Sequence, residues 1–169
     1  MERIHQYEVK VVVHLNHAGR GASPKHVGTA VAPFPIMCPS TETTPEELSK
    51  EHIKEIITAF VQNAIRAQRA VADAIEVQFD HGYLVHQFYS ERLNKRKGKY
   101  GTNKLQFARE LLEALSQSVN IPVFIRISGD EFVPDGITLE DIEKILSLAE
   151  EYGVSVIHVG WGNVCDSAH

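Results

Sequence analysis

Arg126 stands in the middle of the apolar run Val123-Phe124-Ile125-Arg126-Ile127. A charge left unpaired in such a place costs about 3–5 kcal/mol, so something has to answer it. A bound anion or electron-rich ligand would do so, and so would an internal carboxylate such as Glu76. His81-Gly82-Tyr83 directly follows another strand-like run. An imidazole and a phenol held together can polarise a carbonyl and deliver a proton; a hydrogen-bonded core histidine is the plainer reading. His14-Leu15-Asn16-His17-Ala18-Gly19-Arg20 reads either as a ligand-facing segment or as a polar turn. His81 and His86 have no metal-binding spacing, and no metal site is expected. The basic run Arg92-Leu93-Asn94-Lys95-Arg96-Lys97 suits a solvated loop or the neighbourhood of an anionic ligand.

These residues have to be positioned by something, and the chain alternates two kinds of segment. Val9-Lys10-Val11-Val12-Val13-His14-Leu15, Ala74-Ile75-Glu76-Val77-Gln78-Phe79, Val123 to Ile127 and Val154-Ser155-Val156-Ile157-His158-Val159 are β-branched runs of strand length. Between them lie amphipathic helices. The first starts at Thr44 or at Ser49 and carries Ile53, Ile56, Ile57, Phe60, Val61, Ala64 and Ile65. The second carries Leu105, Ala108, Leu111, Leu112 and Leu115. The third is capped by Thr138 and Asp141, turns Leu139, Ile142, Ile145 and Leu146 inward, and ends at Gly153. Long loops run from Arg20 to about Ser40 and from Asp80 to about Thr102.

Strand, loop and helix in repetition require parallel strands joined by right-handed crossovers. No G-x-G-x-x-G follows a strand, which argues against a dinucleotide-binding open sheet. Polar residues gather beyond the end of every strand, where a (β/α)8 barrel builds its site. The expected fold is α/β, a partial (β/α)8 (TIM) barrel of four parallel β/α units, with residues 1–169 forming a single domain.

With 169 residues and 43% hydrophobic composition, one sizeable core is expected. The net charge of −5, from 17 basic and 22 acidic residues, gives no broad positive patch, so neither nucleic acid nor a membrane surface is expected as partner. No signal peptide or membrane span is apparent, and the chain reads as cytoplasmic. Cys38 and Cys165 lie far apart, in no metal spacing and without disulfide-scaffold density, and take no role.

Taken in order, Leu15-Asn16-His17-Ala18-Gly19-Arg20, His81-Gly82-Tyr83-Leu84-Val85-His86-Gln87-Phe88, Asn94-Lys95-Arg96 with Tyr100-Gly101, and Val123 to Ser128 closely resemble successive landmarks of the old yellow enzyme family. Its members are FMN-dependent NAD(P)H oxidoreductases and ene reductases. The resemblance runs from Val9 to about Gly162. It implies FMN as cofactor, NAD(P)H as hydride donor and a small-molecule activated alkene as substrate. It places His14 at the flavin pyrimidine edge and Arg126 beside the flavin N1 and O2. Gln78 and His81 fall at the pair that grips the substrate carbonyl, and Tyr83 at the proton donor.

The chain departs from the family at several points. Gln78 stands where a histidine is usual and cannot become a cation. His14 replaces a glutamine, Gly98 replaces an aspartate, and the stretch from Tyr100 to Phe107 is short. By resemblance the strands present are the third to the sixth of eight, so a lone chain should bind FMN weakly or not at all. An open, apolar inner sheet face would then favour a homo-oligomer. The alternatives are a flavin-free remnant without catalysis and an oligomerising interaction module.

Overall fold

A computed structural model describes residues 1–166. The elements in chain order are α1 (Glu2–His5), β1 (Val12–Leu15), a single 3-10 turn (Gly19–Gly21), α2 (Pro24–Val27), β2 (Val31–Ala32), β3 (Glu46–Glu47), α3 (Lys50–Arg69) and β4 (Ala74–Gln78). They continue with α4 (Leu84–Tyr89), α5 (Lys99–Thr102), α6 (Gln106–Ser116), β5 (Val123–Ser128), α7 (Leu139–Glu151) and β6 (Val156–Gly160). The main sheet has the order β1-β4-β5-β6, all parallel, so its strands lie side by side as the chain meets them. No reversal of order occurs. This is the arrangement of consecutive barrel units, as expected.

The core forms because β-branched strands bury one face under amphipathic helices. Ile75, Val77, Ile125 and Ile127 are buried together with Ile53, Ile57, Phe60 and Ala64 of α3, with Phe107, Leu111, Leu112 and Leu115 of α6, and with Ile145, Leu148 and Ala149 of α7. Phe88 of α4 stacks on Phe107, the rings 4.2 Å apart and nearly parallel. Ser49 caps α3 by accepting from the amide of His52, which decides between the two expected starts. Thr138 and Asp141 cap α7 reciprocally. The inward stripe of α7 is centred on Ile145 rather than running as expected: Leu139, in the first turn, is 77% exposed, and Leu146 is also exposed.

Both long loops contain structure that composition hides. The loop after β1 holds α2 and the two-residue strand β2, which pairs with β3. The loop after β4 holds α4, six residues that are all buried, and α5. A six-residue helix is too short to show periodicity, and its apolar and polar residues are buried alike.

The second face of the sheet is different from expectation. Alternation sends His14, Glu76, Gln78, Phe124, Arg126, Val156 and His158 to the side opposite the buried aliphatics. The inner face therefore carries a polar row toward the C-terminal ends of the strands, with Val12, Phe124 and Val156 nearer their starts, rather than a wholly apolar core layer.

Phe107 is fully buried in a stack, so Phe107→Ala should lower unfolding free energy by about 3–5 kcal/mol in urea titration. A loss under about 1 kcal/mol would place it outside the cooperative core.

Candidate functional site

The inner-face row is joined by hydrogen bonds from β6 to β1. His158 Nδ1 donates to Glu76 Oε1 at 3.1 Å, and His14 Nδ1 donates to the other oxygen at 2.7 Å. His14 Nε2 lies 2.9 Å from Gln78 Oε1, and Gln78 Nε2 lies 3.5 Å from His81 Nδ1. Burial alone would raise the Glu76 carboxyl, but the bonds from His14 and His158 hold it below the usual carboxylate range.

Arg126 has an internal partner, though not Glu76. Its Nε lies 2.9 Å from Asp80 Oδ2. Glu76 is occupied by the two histidines, whereas Asp80, two residues beyond the end of β4, turns back beneath the guanidinium. The turn is fixed by the next residue. His81 has φ +56°, its amide donates to Ser128 Oγ at the end of β5, and its carbonyl accepts from the amide of Val164 beyond β6. Burial pushes the His81 imidazole down and Asp80 pulls it back up, while Arg126 and His86 push it down.

His14, Gln78, His81 and Arg126 lie together, with Glu76, Asp80 and His158 beside them. Tyr83 is set apart, at the N-cap of α4. A Cβ on Gly21 would lie 3.9 Å from its Cε1, 3.6 Å from Val164 Cγ2 and 3.5 Å from Cys165 Sγ, so the phenol packs toward the loop beyond β6. Among the described residues its hydroxyl makes no hydrogen bond. An open cavity of about 480 Å3 lies beside His81, lined by Glu131, Phe132, Trp161, Gly162, Asn163 and Val164.

Below the mouth lies a buried ionic network. Glu131, fully buried, accepts from Asn163 Nδ2 at 2.7 Å and from the amide of Ile137 at 2.8 Å, with His86 Nε2 3.0 Å away. Arg92 pairs with Asp166 at 2.6 Å, and the buried Arg20 pairs with the same carboxylate while donating to the carbonyl of Met37. Arg96 donates to the carbonyls of Leu48 and Pro33. The basic run is therefore neither a solvated loop nor an anion site at Arg92 and Arg96: both side chains tie loops together. Gly19 allows this packing, because at φ +58° a Cβ there would fall 2.4 Å from Gln87 Oε1. Burial pushes the His17 imidazole down, and its Nδ1 accepts from the Gly19 amide. His17 shapes the turn.

Cys38 and Cys165, expected to have no role, form a disulfide that joins the loop after β1 to the segment after β6. Sequence spacing could not show a pairing across 127 residues. The two loops meet only because all four strands end at one mouth. Among the described residues no cluster of histidine, cysteine or carboxylate is arranged for a metal ion.

Parallel β/α units in sequence order, with titratable and amide side chains at the strands' C-terminal ends, define a segment of a (β/α)8 barrel. The chain belongs to the NADH:flavin oxidoreductase / NADH oxidase family, whose model matches residues 1–167. It is 40% identical over 168 residues to an NADH oxidase of Thermoanaerobacter brockii, covering 95% of this chain and 26% of that protein. Among solved structures, a complex of 2-naphthoyl-CoA reductase with 2-naphthoyl-CoA superposes with a TM-score of 0.89 at 22% identity, over 96% of this chain and 28% of the other. Morphinone reductase in complex with tetrahydroNAD gives 0.82 at 24% identity, over 94% and 50%. The chain thus spans between about a quarter and half the length of these relatives.

Acid should weaken the fold in part through Glu131. Burial would raise its carboxyl, but His86, Asn163 and the Ile137 amide hold it down at about 2, against an ordinary 4.5. The folded value lies below the unfolded one, so the stability Glu131 contributes is complete above pH 4.5 and is lost as pH falls toward 2. Glu131→Ala should cost about 3–5 kcal/mol at neutral pH and flatten the acid limb of a stability profile. An acid limb of unchanged slope would assign acid unfolding to other groups.

Proposed function

We propose that the chain serves FMN-dependent NAD(P)H oxidoreduction of the ene reductase type, reducing a small-molecule activated alkene. The observation that carries this is the hydrogen-bonded row of His14, Gln78 and His81, with Arg126 beside it, at the ends of parallel strands in a member of this family.

The donor set fits a flavin pyrimidine edge. Only the Arg126 Nε is engaged by Asp80, and the guanidinium is partly exposed; the His14 and His158 rings are partly exposed too, but both His14 nitrogens are held by Glu76 and Gln78, so His14 would reach the flavin by exchanging its contact with Gln78. When bound, FMN would take hydride from NAD(P)H and pass it to the alkene β-carbon. Arg126 would hold positive charge beside N1 and O2, where reduction adds negative charge, and His14 would bind the pyrimidine edge. The Gln78 amide and the His81 imidazole would donate to the substrate carbonyl oxygen, drawing electron density from the double bond. The Tyr83 hydroxyl would supply the proton that completes addition of two hydrogens. With one wall of the site open, the lone chain binds FMN weakly. Pairing of two copies through the open side, as a cytoplasmic homo-oligomer, would enclose it. Neither nucleic acid nor a membrane takes part. Among the described residues no helix is long and apolar enough to cross a membrane.

Titration with FMN, with molar mass measured in the same buffer, should show weak binding that strengthens as the protein associates. Arg126→Ala should weaken that binding and lower the flavin reduction potential. Absence of any bound flavin at millimolar FMN, in every oligomeric form, would overturn the reading. Tyr83→Phe should leave flavin reduction by NAD(P)H intact and slow alkene turnover by roughly 10²-fold or more. Equal turnover by both proteins would remove Tyr83 from proton delivery.

A further inference from the structure

Asp80 is fully buried, and neither of its carboxylate oxygens has an aligned hydrogen bond. A buried carboxylate in that state is costly unless opposite charge stands close. Two groups provide it: Arg126 Nε at 2.9 Å and His81 Nδ1 at 3.3 Å, both facing the same oxygen, Oδ2. The three side chains converge on β6 at Gly160, where an added Cβ would meet Asp80 Oδ2 at 3.1 Å and Arg126 Nη2 and His81 Nε2 at 3.3 Å each. The absence of a side chain at Gly160 is what lets them share one space.

We infer that Asp80 is a positioning residue for the reaction proposed above: its carboxylate backs His81 at Nδ1 and stabilises the imidazolium, the form in which Nε2 also carries a proton to donate toward the substrate carbonyl, and it offsets the charge of Arg126. Carboxylate behind imidazole is the standard physical means of fixing a histidine's tautomer and stabilising its cation. In this chain the arrangement has a specific use. Gln78 donates only through a neutral amide, so polarisation of the acceptor falls on His81, and Asp80 is the group that sustains it. The same carboxylate weakens the positive field that Arg126 presents on the inner face. One anion therefore shifts electrophilic strength from the arginine to the histidine.

Other groups face this pair. Arg126 from β5 and His86 from α4 oppose protonation of His81, and the Trp161 carbonyl favours it. Tyr89 of α4 lies in the field of Asp80 and Glu131 and is held protonated, chiefly by burial. None of these is removed by changing Asp80, so its effect on His81 can be isolated.

The test follows the His81 ring signal by NMR through a pH titration of the flavin-free chain, assigned by its loss in His81→Gln. Asp80→Asn should shift the His81 midpoint down, and Arg126→Gln should shift it up. If Asp80→Asn alone folds poorly because Arg126 is left unpaired, the double variant Asp80→Asn/Arg126→Gln is compared with Arg126→Gln, and the midpoint should again fall. An unmoved midpoint in either comparison overturns the assignment to His81. Added FMN reads the second half: Asp80→Asn should bind it about tenfold more tightly, as one released charge permits. Affinity unchanged from the unaltered chain overturns the offset of Arg126. If no form binds FMN, the proposed function fails with the Arg126 half, and the titration still decides the role of Asp80 toward His81.

Discussion

Alternation along β4 governs both the stability and the chemistry of the chain. Ile75 and Val77 go to the helices, and Glu76 and Gln78 go to the opposite face. The parallel register carries the division to β5, where Gln78 sits beside Arg126, and on to β6, where Arg126 sits beside His158. A slip of one residue would bury two polar side chains under α3 and α6 and turn two aliphatic ones outward. The hydrophobic face thus fixes where the polar row must be. Its side chains are aligned by a register that the core, not the site, enforces.

Packing beneath the mouth adds a second level of control. Strand ends alone would leave the loops free to wander, and the loops here carry His81, Tyr83 and Trp161. Glu131 and Asp166 gather His86 and Arg92 from α4 and the turn after it, Arg20 from the loop after β1 and Asn163 from beyond β6, and without Asp166 the two guanidiniums lose the carboxylate they share. Burial makes the pairs expensive to break singly, so the loops hold their places together. The Phe88–Phe107 stack anchors the same α4 from its other side.

The strands, their order and the three long helices were legible in the sequence because each has a periodicity long enough to read. His81 was singled out by its place after a strand-like run and Arg126 by its charge within one, whereas His14 and Gln78 were named only through the resemblance to the family. Asp80 and Glu76 were not assigned correctly. Both are acids near Arg126, and only the left-handed turn at His81 determines which one reaches it. His158 was hidden as one polar residue in an apolar strand, and its partner is contributed from 82 residues away. The buried helix α4 has no polar face to betray a helical repeat. Cys38 and Cys165 were unreadable for the same reason as Glu76 and His158: their meeting is a property of the sheet order.

The bond between those cysteines also changes the connectivity of the molecule. Residues 38 to 165 become a covalent ring that contains β3 through β6, while β1 lies on a tail outside it. The tail is woven into the ring by the β1–β4 ladder and by Arg20. A protease that cuts once anywhere inside the ring opens it without releasing a fragment. A cut between β1 and Cys38 leaves β1, and His14 with it, held by non-covalent contacts alone, while the other members stay on one closed piece.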